Sequence, residues 1–225
     1  MRNIVVTNKF DNSRSTNMKN RFELKSFIRS FKEIDFSLSR KDNQRIDGIV
    51  INRLEELIKE FKISHDFKIF KSYFKEYFVL ILKTWGKALV LIMITTIIIQ
   101  IITHTTQANN QIALQNSFNS NPVFIAILAM FYAPIAEELM FRGVFRKFIK
   151  NKKLFVIVSG VVFGLMHVID DSKTLAEFSY VFVYSILGIY LAGIYAKTNN
   201  LCTNIFMHFM QNTLSVIGMI LLMFM

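Results

Sequence analysis

An apolar run of helix length that ends in two adjacent carboxylates and an arginine constrains this chain more than any other feature. The stretch from Asn121 to Arg146 reads NPVFIAILAMFYAPIAEELMFRGVFR, and Phe124 to Ala136 carries no charge. Glu137, Glu138 and Arg142 then arrive before the apolar pattern stops at Phe145. Ionisable groups placed this way are costly and are usually paired or functional. On a helix Glu138 and Arg142 share a face four residues apart and can form an ion pair. Glu137 is turned about 100° away and has no such cation, which leaves it as the acid free to take and return a proton. The pair divides into one supporting acid and one working acid. The plainer alternative is a helix end at the lipid headgroups, with all three charges solvated.

Composition agrees with a membrane setting. The chain has 225 residues, 52 % of them hydrophobic and 23 of them phenylalanine, which fits one membrane domain with a soluble extension. The single cysteine, Cys202, excludes an intrachain disulfide and a cysteine-cluster zinc site. The formal charge is +11. Its cations gather in the first 75 residues and beside apolar runs, where membrane orientation rather than nucleic acid is the use for them. No cleavable signal-peptide pattern opens the sequence, so the first hydrophobic helix is expected to direct insertion.

Residues 1 to about 44 are polar and expected to be weakly ordered. From Ile46, apolar Ile49, Val50, Leu54, Leu57, Ile58 and Phe61 recur at helical spacing opposite Glu55, Glu56, Lys59, Glu60 and Lys62. A second amphipathic stretch from Asp66 alternates Phe67, Phe70, Phe74 and Phe78 with Lys68, Lys71 and Lys75. It suits a basic helix on an anionic membrane surface or, equally, a short helix packed on a neighbour. The first span is expected from about Trp85 to Thr103, the second is the Glu137 helix, the third runs from Leu154 to Ile169, the fourth from Leu175 to Ala196 and the last from Leu201 to Met225. Gly160 and Gly164, then Gly188 and Gly193, offer points of close helix approach. Cations from Arg142 to Lys153 mark the end of the second span as cytoplasmic, whereas the linker from His104 to Asn121 has no Lys or Arg. The expected fold is an all-α, polytopic membrane helix bundle with about five transmembrane helices and amphipathic amino-terminal helices. Residues 1–75 would form a basic, partly disordered cytoplasmic extension and residues 76–225 the membrane domain of a multi-pass cell-membrane protein with a cytoplasmic amino terminus.

His167 and His208 lie inside apolar spans, Phe163 one turn before the first and Asn212 one turn after the second. A lone intramembrane histidine is as often a satisfied packing residue as a functional one. With a carboxylate pair on a third helix they converge on peptide-bond hydrolysis, which needs a base for water, an oxyanion donor and a proton for the leaving amine. Depth agrees if the helix of Glu137 continues past Arg142 toward Ile149, for His208 then lies roughly 10 to 15 Å and His167 roughly 20 Å above the inner ends of their helices.

These residues resemble a known family. Glu137-Glu138-Leu139-Met140-Phe141-Arg142 is similar to an EExxxR motif, Phe163 to His167 to FxxxH, and His208 to Asn212 to HxxxN, the three motifs of the type II CAAX prenyl endopeptidases, also called CPBP or Abi proteins. The similarity covers about Val123 to Thr213. It implies an intramembrane endopeptidase in which Glu137 and His167 activate water, His208 and Asn212 form the oxyanion site, and Glu138 and Arg142, with Phe163, support them. It also implies two mechanisms, a metal-free glutamate type, favoured here because Asn212 is a better hydrogen-bond donor than metal ligand, and a metalloprotease with Zn2+ on Glu137, His167 and His208.

The expected partners are the lipid bilayer and a peptide or protein substrate, not nucleic acid, and assembly as a homo-oligomer stays open. The rival reading is a non-catalytic bacteriocin-immunity or membrane scaffold protein of the same family. A transporter is the third, because paired intramembrane charges also mark ion pathways.

Overall fold

The computed structural model describes Glu56 and residues 58–169 and 172–224. The polar region to about residue 44, and residues 46–55 and Leu57 of the first amphipathic stretch, lie outside the described residues. From Leu57 onward the chain forms one compact unit. Its helices are α1 (Ile63–Ser72), α2 (Phe74–Thr103), α3 (Asn109–Ser120), α4 (Pro122–Phe148), α5 (Lys152–Met166), α6 (Leu175–Phe178), α7 (Val181–Thr198) and α8 (Leu201–Met223). The protein is an all-α, polytopic membrane helix bundle.

The second amphipathic stretch is divided. Tyr73 leaves helical geometry at φ −116° and ψ 32°, so Asp66, Phe67 and Phe70 belong to α1 while Phe74 and Phe78 open α2. The first span therefore starts at Phe74 rather than near Trp85. At 30 residues it is about 45 Å long, more than the roughly 30 Å hydrocarbon core.

Among the described residues four helices are long and apolar enough to cross a membrane: Phe74–Thr103, Pro122–Phe148, Leu175–Thr198 and Leu201–Met223. This corrects the expectation of about five. The helix expected as the third span, α5, has only 15 residues, about 22 Å, because the chain turns at His167. In a continuing α-helix the His167 N–H would bond Phe163 O. Instead the His167 ring takes that carbonyl through Nδ1 at 2.8 Å, and the backbone N–H turns to Gly164 O at 3.2 Å. The histidine side chain thus ends the helix that carries it.

Helices α5 and α7 run antiparallel at close range. A Cβ on Gly160 would stand 2.6 Å from Ile189 N, one on Gly164 2.7 Å from Ser185 N, and one on Gly188 2.6 Å from Gly160 O. Only glycine permits this approach of backbones. Gly193 meets nothing within 4 Å and is not a packing point.

Helix α4 departs most from simple expectation. It is π-helical over Leu128–Tyr132 and Leu139–Val144, with a six-residue α segment, Ala133–Glu138, between them. π turns inside α-helices are frequent at functional sites. The short α segment ends in Glu137 and Glu138, and the second π stretch contains Arg142.

Candidate active site

The buried charge on α4 is compensated by three other helices. Glu138 and Arg142 both have fully buried side chains, and Arg142 Nε stands 3.0 Å from Glu138 Oε2. Nε is off the line of an aligned hydrogen bond, so the contact is an ion pair. Arg142 Nη2 donates to Gly188 O on α7 at 3.0 Å, a carbonyl left accessible because residue 188 has no side chain. The guanidinium also lies 5.0 Å from the Phe163 ring centroid. Glu138 accepts from Asn204 Nδ2 at 3.2 Å and lies 2.9 Å from His208 Nδ1, both on α8. Burying one member of an ion pair without its partner is strongly destabilising, so this network fixes α4, α7 and α8 together.

Glu137 has a different environment. Its side chain is 13 % exposed, and Oε2 lies 3.8 Å from His167 Nε2 and 3.8 Å from His208 Nε2. That oxygen is buried and has no hydrogen-bond partner among the described residues. The structure thus brings Glu137, His167 and His208, from α4, the end of α5 and α8, to one point.

The outer nitrogens of the two imidazoles set their protonation. A carbonyl can only accept, so His167 Nδ1, on Phe163 O, carries the hydrogen, and Nε2 faces Glu137. His208 Nδ1 faces a carboxylate already paired with Arg142 and donates to it. Neutral, His208 presents a lone pair at Nε2; protonated, it presents an N–H. The His167 ring is clamped between Phe163 at 4.4 Å and Tyr184 at 4.7 Å, centroid to centroid. Phe163 also sets its edge toward His208 at 5.7 Å.

Asn212 lies one turn beyond His208, but its Nδ2 donates to Ala129 O in the first π stretch of α4 at 2.8 Å. Residues beyond the motifs also contribute. Asn204, on the turn before His208, gives its amide hydrogens to Glu138 and to Leu191 O. Ser159 donates to Phe141 O at 2.8 Å and ties α5 to α4. An asparagine in an apolar span, at helical spacing from His208, was a signal for the first; a lone serine gives none.

The metal alternative can be tested on these distances. Two ligands of one tetrahedral zinc stand about 3.4 Å apart when each bond is near 2.1 Å. The 3.8 Å gaps from Glu137 to both imidazoles are wider, and among the described residues no group of three or more His, Cys, Asp or Glu side chains is arranged to hold an ion. The residues as placed do not fit a metal.

Comparison with known proteins accords with this geometry. The family model for type II CAAX prenyl endopeptidase Rce1-like proteins matches residues 119–214, the stretch that holds all of the side chains above. The chain is 29 % identical over 114 residues to YdiL of Bacillus subtilis (strain 168), a candidate membrane peptidase, covering 49 % of this chain and 43 % of that protein. Two UPF0177 proteins of Lactococcus lactis subsp. lactis (strain IL1403) also match. YvdC is 26 % identical over 127 residues (56 % of this chain, 46 % of its own), and YxdF 34 % identical over 76 residues (33 % and 38 %). The chain thus spans less than half the length of the curated relatives it matches. No solved structure matches it significantly.

Proposed function

On the premise that residues 119–214 are homologous to the Rce1-like CAAX-protease family, we propose that the protein is an intramembrane endopeptidase that hydrolyses a peptide bond of a membrane-associated peptide or protein. The observation that carries the reading is Glu137 Oε2, without a hydrogen-bond partner among the described residues, facing two imidazole nitrogens at 3.8 Å. A separation of that size admits a water about 2.8 Å from each atom. Between Glu137 and neutral His167 such a water meets two acceptors, so both of its hydrogens are engaged and its lone pairs face outward.

Glu137 removes one proton as the water oxygen adds to the scissile carbonyl. The oxyanion is met by His208 Nε2–H, with the imidazolium charge balanced by Glu138, and by the Asn212 amide hydrogen not given to Ala129. Glu137 then returns its proton to the departing nitrogen, which balances the reaction without a cofactor. Glu138, itself paired with Arg142, holds the His208 ring by Nδ1–H so that Nε2–H is turned to the site. The basic ends of α4 and α5 would face the cytoplasm, with the amino terminus on the same side. Nothing in these residues requires a prenylated substrate.

The test is cleavage of a library of quenched fluorogenic peptides by the purified protein in detergent. Activity lost in Glu137→Ala and in His208→Ala supports the reading. Equal cleavage by the parent and both variants removes it.

A further inference from the structure

Residues 60–66 precede the family-matched stretch, yet they touch both helices that carry its central motifs. The Phe61 ring is set against Gly143, the residue after Arg142. A Cβ on Gly143 would stand 3.0 Å from Phe61 Cζ and 3.1 Å from both Cε atoms. One turn further along α4, Lys147 Nζ lies 4.3 Å from the centroid of the same ring and pairs with Glu60. On the other side Asp66 Oδ2 accepts the N–H of Leu201, the first residue of α8, and Asp66 O accepts Asn200 Nδ2, both at 2.8 Å. Cys202 Sγ points at Ile63 O, 3.7 Å away.

The two anchors are joined by a tight turn. Lys62 sits at φ 52° and ψ 44°, a left-handed conformation that residues with a side chain seldom adopt. Its carbonyl accepts the N–H groups of His65 and Asp66 at 2.9 and 3.2 Å. Phe61 and Asp66 are thus joined by a hydrogen-bonded turn.

We propose that residues 60–66 are a clasp that sets the spacing of α4 and α8 and so the placement of Glu137 against His208, with Phe61 and Asp66 as positioning residues. Gly143 lies about 9 Å along α4 from Glu137, and Leu201 about 10 Å along α8 from His208, so the clasp grips both helices at nearly the same distance from the reacting groups. Displacements of about 1 Å at such groups cost as much as 100-fold in rate. The catalytic half of the inference rests on the endopeptidase reading; the geometric half does not.

The experiment therefore reads both. Nitroxide labels at Lys150→Cys and Asn199→Cys, in the full chain with Cys202→Ser, report the separation of the two helix ends by pulsed electron resonance. One narrow distance distribution is expected for the parent and for the conservative variants Phe61→Leu and Asp66→Asn, and a broadened or displaced one for Phe61→Ala with Asp66→Ala. In the peptide assay Phe61→Ala lowers kcat about 10-fold and leaves KM within about 2-fold. Gly143→Ala, whose methyl meets the ring, is also impaired, and Phe61→Ala with Gly143→Ala recovers activity above either single change. An unchanged distribution in the Phe61→Ala, Asp66→Ala variant overturns the clasp, whatever the activity. A parent that cleaves nothing while the distribution broadens as described supports the clasp and removes the hydrolase.

Discussion

Asn212 donates its side-chain amide to the carbonyl of Ala129 at 2.8 Å. The bond answers a defect written into α4. In the π stretch Ala133 N–H reaches five residues back to Leu128 O, and the residue that would serve Ala129 O in the same register is Pro134, which has no N–H. Asn212 supplies the missing donor from α8, so the motif asparagine also holds the two helices together at that level.

Asn212→Ala should leave the part-buried Ala129 O unsatisfied, at a cost of about 1–3 kcal/mol. Pro134→Ala restores a backbone donor at that place. The double variant should therefore melt above Asn212→Ala alone in detergent, by an amount that exceeds the effect of Pro134→Ala in the parent. Strict additivity of the two melting shifts counts against the account.

The adjacent glutamates should separate cleanly on substitution. Glu137→Gln removes the base and breaks no hydrogen bond at Oε2, so stability should stay within about 1 kcal/mol while cleavage falls by about 100-fold or more. Glu138→Gln leaves Arg142 fully buried without its counter-charge, which costs about 3–5 kcal/mol. Thermal unfolding beside a peptide assay distinguishes the two, and equal melting temperatures for both variants would contradict the division of roles.

How much of this could be read in advance depends on which interactions repeat along a helix. The i, i+4 ion pair of Glu138 and Arg142 follows from helical spacing, and so does the convergence of His167 and Phe163. The extent of α5 was not legible. Hydropathy runs unbroken to Ile169, whereas the helix ends where the His167 ring captures Phe163 O, a tertiary choice of rotamer. The π stretches were hidden for a similar reason. Pro134 shows that a carbonyl is freed but not that the helix widens around it. Asn204, buried on Glu138, lies one turn before His208 and so outside the HxxxN spacing that marks the helix.

Small residues on α5 and α7 differ in what a methyl group would meet. Gly160→Ala and Gly164→Ala place a Cβ against backbone atoms at 2.6 and 2.7 Å, which only helix separation relieves, so each should cost about 1–3 kcal/mol. Gly193→Ala and Gly218→Ala meet nothing within 4 Å and should be neutral or stabilising by up to about 1 kcal/mol. A thermostability series across the four positions checks the pattern.

Chelation bears on the wide spacing around Glu137. If the 3.8 Å gaps hold a water and not an ion, cleavage that depends on Glu137 should survive 1,10-phenanthroline and prolonged dialysis against EDTA. Elemental analysis should find far less than one metal per chain. Loss of activity on chelation, with recovery on added Zn2+, would mean that the side chains close by several tenths of an ångström around a metal.

The docking of α1 on α8 should depend on pH through Asp66. Burial is the largest influence on this carboxyl and raises its pKa from the ordinary value, with the Leu201 N–H and then His65, 3.9 Å away, acting in the opposite direction. The sign follows from the neutral form being favoured in the folded protein. The contribution is fully present below the unfolded pKa and is lost as pH rises through the elevated folded one. Melting temperature should therefore decline across the interval between the unfolded and the raised folded pKa in the parent. Asp66→Asn keeps an oxygen for Leu201 without the charge, so its curve should lose this component. An equally steep decline in Asp66→Asn would assign the dependence to another group.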